Sequence, residues 1–170
     1  MQERIKKIKL LALDVDGVLT DGLIIVDSEG REIKNFDVQD GYGIVRFKRA
    51  GFFTAIITAR YSEPVTARAK DLQIDHLYQD AYPKLPAYEK LISDLKVRDE
   101  EVCFVGDDLP DLPILKRVGL AVAVANARPE VKATAHYITE RAGGDGAVRE
   151  VIELILKTQG LWEKILRGEI

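Results

Sequence analysis

Apolar residues in this chain come in short unbroken runs separated by stretches with helical spacing. Residues 8–13 are continuously apolar apart from Lys9, the pattern of a parallel strand covered on both faces. Residues 53–58, 76–78, 102–106 and 120–124 read as further strands. Between them lie candidate helices: one built on Ile44, Val45 and Phe47 and stopped by Gly51, one capped by Ser62 and running to about Leu72, then residues 85–95 and 109–118. Residues 129–135 and 147–158 extend the series, and residues 161–167 form a short last helix after Gly160. Strands alternating with helices predict an α/β fold, a Rossmann-like three-layer sandwich around a central parallel sheet with right-handed crossovers. A length of 170 residues predicts one domain over 1–170.

One segment departs from the alternation. Residues 23–26 and 31–36 flank the turn-rich Asp27-Ser28-Glu29-Gly30 and predict a protruding β-hairpin over about 23–36. Leu23, Ile24, Ile25 and Val26 are apolar on both faces of that strand. Something must cover the second face, either the domain's own core or another subunit.

Composition narrows the classes. The chain holds 25 basic and 28 acidic residues for a formal net charge of -3. The two signs are interspersed, which argues against nucleic acid as a partner. Cys103 lies inside the apolar run VCFVG and reads as a core residue; a single cysteine makes no internal disulfide, which suits a reducing cytoplasm. No run approaches the ~18 apolar residues of a membrane span, and the charged start MQERIKKIKL precedes too short an apolar run for a signal segment. The expectation is a soluble cytoplasmic protein with no membrane partner.

The chemistry lies at the strand ends. LLALDVDGVLTDG (residues 10–22) places Asp14 and Asp16 where the first strand stops, and VCFVGDDLPD (residues 102–111) repeats the arrangement with Asp107, Asp108 and Asp111. Ligands of open α/β sheets bind at the carboxyl ends of strands, so carboxylates there are placed for chemistry. Alone, GDDLPD reads equally as an acidic turn capping the next helix. Two such strands together point to metal-assisted phosphoryl transfer, with hard oxygen donors suited to Mg²⁺. Neither His76 nor His136 lies in an acidic motif, which argues against zinc.

The string DVDGVLTDG resembles the first motif of the haloacid dehalogenase superfamily of phosphohydrolases, and GDDLPD its fourth. IITAR (residues 56–60), with Thr58, resembles the second motif, and Lys84 the third. DGVLTDG, the hairpin and GGDGAVRE (residues 143–150) are similar to the capless members that act on 3-deoxy-D-manno-octulosonate 8-phosphate. The resemblance implies Asp14 as nucleophile and Asp16 as the acid that protonates the leaving oxygen and later activates water. It implies Thr58 and Lys84 as phosphate ligands, and Asp14, the backbone carbonyl of Asp16 and Asp107 as Mg²⁺ ligands, with Asp108 and Asp111 orienting them. The substrate carboxylate calls for arginine, and Arg60 and Arg68 are the candidates. The resemblance further implies a homotetramer joined through the hairpin, a tail over 160–170 able to reach a neighbour's site, and a place in lipopolysaccharide precursor synthesis. A broad sugar-phosphate phosphatase, a nonulosonate 9-phosphate phosphatase and a catalytically silent scaffold of the same fold stay open. A receiver-type signalling module shares the residue types but carries its phosphoacceptor on a later strand.

Overall fold

A computed structural model describes residues 1–170. Six parallel strands form the central sheet: β1 (Leu10–Leu13), β4 (Phe53–Ile57), β5 (His76–Tyr78), β6 (Val102–Gly106), β7 (Leu120–Ala123) and β8 (Tyr137–Ile138), in the order β5-β4-β1-β6-β7-β8. β1 and β6 are buried at every position, as their continuous apolar sequence requires. Leu10 pairs with both Phe53 and Val102, and Leu13 with Ile56 and Val105, so β1 is central.

Helices cover both faces, giving the three-layer α/β architecture. On one face α2 (Val38–Arg49) packs on α7 (Ala147–Thr158), with α1 (Gln2–Ile5) and α8 (Trp162–Leu166) against α7. α3 (Glu63–Asp71) leans on α2 through Arg68, which donates to the Asp37 carbonyl at 3.3 Å. On the other face α4 (Leu85–Leu95) packs on α5 (Leu112–Leu115), and α5 on α6 (Pro129–Thr134). No helix is long and apolar enough to cross a membrane.

Several boundaries differ from the sequence expectation. α2 begins at Val38, capped by Asp37, whose carboxylate accepts from the N–H of Gln39 (2.6 Å) and Asp40 (2.9 Å). The glycines that hid this start are there for packing: a Cβ at Gly41 would stand 2.2 Å from Arg68 Nη2, and one at Gly43 3.0 Å from Arg149 Cδ. Ser62 holds the N-cap position of α3 without making a side-chain cap. In place of a helix over 109–118, a 3-10 turn at Leu109–Asp111 runs into the single turn of α5. The hairpin pairs only β2 (Ile25–Val26) with β3 (Glu32–Ile33), closed by Asp27, which accepts from the N–H of Glu29 and Arg31 at 2.9 Å each. Leu23, Ile24, Val26 and Ile33 are exposed, so the chain's own core does not cover them. The tail folds back on its own chain, where Arg46 donates to the Ile170 carbonyl at 3.0 Å.

Candidate active site

The strand order locates the chemistry. β1 leads through α2 to β4 on one side, whereas its neighbour β6 leads through α5 to β7 in the opposite direction. The crevice beyond such a switch point is where open α/β sheets bind ligands. Asp14 directly follows β1 and Asp107 directly follows β6. The Asp14 N–H donates to the Val105 carbonyl at 3.1 Å, which ties the two strand ends together.

Asp111 organises this crevice from below. It is fully buried; its Oδ2 accepts from the N–H of Asp107 (2.9 Å) and Asp108 (3.3 Å), and its Oδ1 from Lys84 (2.7 Å). A Cβ at Gly106 would stand 2.6 Å from Asp111 Oδ2, so the strand must end in glycine for Asp111 to fold back. That return bend is the reason the expected helix is replaced by a 3-10 turn. Lys84, also buried, bridges Asp111 and Asp14 at 2.7 Å each. A lone lysine is usually a solvated surface group; here it is the counter-ion of a buried acidic cluster.

Asp14, Asp107 and Asp111 offer oxygens within 4.8 Å of one another, against one ammonium. Burial, and then the charge of Asp111, push the Asp14 carboxyl up to about 7, although Lys84 pulls the other way. Burial, followed by Asp14 and Asp111, pushes Asp107 up to about 8. For Lys84, burial acts downward but the two carboxylates outweigh it and hold the ammonium above the ordinary lysine range. Sequence alone makes Asp14 a carboxylate ionised at neutral pH. Its burial removes that margin, so its charge depends on cationic neighbours. Asp107 Oδ1 is buried without a hydrogen-bond partner. An orphaned carboxylate oxygen beside a surplus of hard donors fits a divalent cation. Asp14 and Asp107 are the side chains that could hold one, because both oxygens of Asp111 are engaged.

The cavity above this cluster has a volume of about 260 Å³, and its lining includes Asp14, Asp16, Thr58, Arg60, Lys84, Asp107, Asp108 and Pro110. Thr58 directly follows β4 and is held on both sides, its N–H donating to the Tyr78 carbonyl and its own carbonyl accepting from the Ala81 N–H. Asp108 caps the 3-10 turn, accepting from the Leu109 N–H at 2.8 Å. Arg60 reaches Asp16 Oδ2 at 3.5 Å and Glu32 Oε1 at 3.1 Å. Arg68 is the candidate this chain does not bring to the cavity: it pairs with Asp71 at 2.7 Å and lies over the Phe36 ring.

Sequence reasoning missed Thr20 and Asn126, the side chains that support the loop after β1. Gly17 has φ +88°, and a Cβ there would stand 2.1 Å from Asp107 Oδ2. Thr20 Oγ1 accepts from the N–H of Gly22 at 3.2 Å. Asn126 accepts from the Gly143 N–H at 2.7 Å and donates to the Gly17 carbonyl at 3.4 Å. GGDG is therefore packed against the loop and does not hang over the cavity as a free turn. Lys34 and Glu32 of the hairpin were missed too; Glu32-Ile33-Lys34 places both charges on one face of the strand, and that alternation was the available signal.

Residues 65–152 match the model of a haloacid dehalogenase-like hydrolase family. The sequence is 48% identical over 157 residues to the 3-deoxy-D-manno-octulosonate 8-phosphate phosphatase of Yersinia pestis, spanning 92% of this chain and 84% of that protein. It is 49% identical over 155 residues to the Escherichia coli K12 protein of the same name, with 91% and 82% covered. The structure matches a crystal structure of the Moraxella catarrhalis phosphatase of that name, in complex with magnesium ion, phosphate ion and KDO, at a TM-score of 0.96 and 44% identity, covering 99% of this chain and 96% of that one.

Proposed function

The chain belongs to the haloacid dehalogenase-like hydrolases, and from that premise we propose that it is a Mg²⁺-dependent phosphatase converting 3-deoxy-D-manno-octulosonate 8-phosphate to the free sugar acid and phosphate, in lipopolysaccharide precursor synthesis. The observation that carries the reading is the convergence of Asp14, Asp16, Thr58, Lys84 and Asp107 on one cavity.

In this mechanism Asp14 attacks phosphorus and forms an aspartyl-phosphate while the sugar oxygen leaves. Asp16, two residues on, donates the proton to that oxygen and then takes one from the water that cleaves the acyl-phosphate. Lys84 balances the charge of the transition state, and Thr58 holds a phosphoryl oxygen with its hydroxyl. Asp14, Asp107 and the backbone carbonyl of Asp16 would hold Mg²⁺, which would supply the charge that offsets repulsion between carboxylate and phosphate. Asp111 fixes Lys84 and the turn carrying Asp107 and Asp108. Arg60 at the cavity wall is the cation for the substrate carboxylate.

The exposed apolar face of the hairpin supports a homotetramer joined through residues 23–36, working in the cytoplasm as a single-domain protein over 1–170. The test is phosphate release with and without Mg²⁺ from the eight-carbon acid phosphate, common sugar phosphates and a nonulosonate 9-phosphate. A metal-dependent preference for the first is expected, with loss of turnover in Asp14→Asn. Equal rates across the panel would overturn the substrate, and no release from any member would overturn the chemistry.

A further inference from the structure

Lys34 lies outside the cavity lining, yet its ammonium is directed at the site. The side chain is 2% exposed, and its Nζ contacts Asp16 Oδ1 and stands 3.2 Å from Glu32 Oε1. An ammonium this deeply buried persists only with compensating charge. Here the compensation comes from two carboxylates: Glu32 on its own strand, and Asp16 on the loop after β1. Arg60, from the loop after β4, closes the network at 3.1 Å from Glu32 and 3.5 Å from Asp16 Oδ2. Two cationic and two carboxyl side chains thus meet from three segments distant in sequence.

The consequence for Asp16 is geometric. A carboxylate on a free loop samples several rotamers, each pointing its oxygens differently. With Oδ1 held by a buried ammonium, the side chain has one orientation, and Oδ2 is the oxygen left on the side of Arg60 and the cavity. β2 and β3 have two residues each, too few for a self-sufficient ribbon. The buried ion pair therefore helps fasten the hairpin to the site, beside the packing of β3 on α3.

We infer that Lys34 is a positioning residue for proton transfer, holding Asp16 by one oxygen so that the other faces the leaving group, and that the hairpin is thereby a working part of the active site. This rests on Asp16 acting as the acid. General acid catalysis contributes about 10²- to 10⁴-fold, and misplacing the acid forfeits part of that only where the leaving group needs a proton. A sugar alkoxide needs one, whereas the p-nitrophenolate ion leaves without help.

The experiment compares kcat/KM for a sugar phosphate and for p-nitrophenyl phosphate in wild type, Lys34→Met, Lys34→Arg and Asp16→Asn. Lys34→Met should lose about 10- to 100-fold on the sugar phosphate and less than about threefold on the aryl ester, with Lys34→Arg recovering part of the loss. Equal losses on both substrates, or none on either, overturn the positioning role. Should Lys34→Met fail to fold, an unchanged substrate ratio in Lys34→Arg overturns it. Asp16→Asn separates the two ideas: if it shows no leaving-group dependence, the acid assignment itself falls and the role of Lys34 with it.

Discussion

The carboxylate of Asp40, in α2, accepts a hydrogen bond from the backbone N–H of Arg149 in the first turn of α7, at 2.7 Å. The two residues lie 109 positions apart, so a side chain of one helix caps another. Its second oxygen is buried without a partner, and burial, ahead of the opposing hydrogen bond from Arg149, pushes its pKa up to about 6.

A raised carboxylate pKa favours the folded state while the group stays protonated. The contribution is full below the unfolded value near 4 and is lost as pH rises through about 6. Asp40→Asn keeps an acceptor for Arg149 and removes that loss, so it should stabilise the protein by roughly 1–3 kcal/mol near pH 7 and by little near pH 4. Thermal denaturation of both proteins at the two pH values checks this; an equal difference at both would refute it.

Asp107 should behave in opposite ways with and without metal. Its pKa is pushed up to about 8, chiefly by burial, so as pH rises through that value the charge costs stability in the metal-free protein. Asp107→Asn should therefore melt higher than wild type in chelator near pH 8. Wild type should gain about 3 kcal/mol at Mg²⁺ a hundredfold above Kd, and the variant should gain little. Melting curves with and without Mg²⁺ read both signs without any substrate, and an undiminished Mg²⁺ shift in the variant would remove Asp107 from the metal site.

Gly143 is a contact that tolerates no side chain. A Cβ there would stand 1.8 Å from the Gly17 carbonyl oxygen, a backbone atom that cannot turn aside. Gly143→Ala should cost about 1–3 kcal/mol by overpacking. It should also cut kcat by at least about 10-fold, because the displaced loop carries Asp16. Normal kcat in a stable variant would show that the loop can shift freely.

The hairpin prediction is read by mass. Leu23, Ile24 and Val26 are each more than half exposed, and a paired charge substitution, Leu23→Glu with Ile24→Glu, should turn a tetramer into smaller species without loss of secondary structure. Sedimentation gives the answer; a wild type that sediments as a monomer would refute the assembly.

The core strands were legible because strands buried on both faces are continuously apolar, and β1 and β6 are buried at every position. Asp14, Asp16 and Asp107 were legible because carboxylates after such strands conflict with the surrounding apolar run. What escaped was set by distant partners. The start of α2 was hidden by Gly41 and Gly43, whose purpose is contact with Arg68 and Arg149. The bend replacing the expected helix depends on Asp111 turning back to Lys84, a partner 27 residues away. β8 has two residues and no apolar run of its own. Lys34 resembles any lysine of a hairpin until Asp16 is placed beside it.

Asp14 and Asp107 directly follow strands that are neighbours in the sheet but about ninety residues apart in the chain. No local segment can hold the two carboxylates together, and the loop between them must be closed before β6 can pair with β1. During synthesis Asp14 emerges long before Asp107. Until residue 107 has left the ribosome and docked, the nascent chain has the first half of a site and no means of using it. The connectivity itself therefore withholds phosphatase activity from truncated or half-made chains.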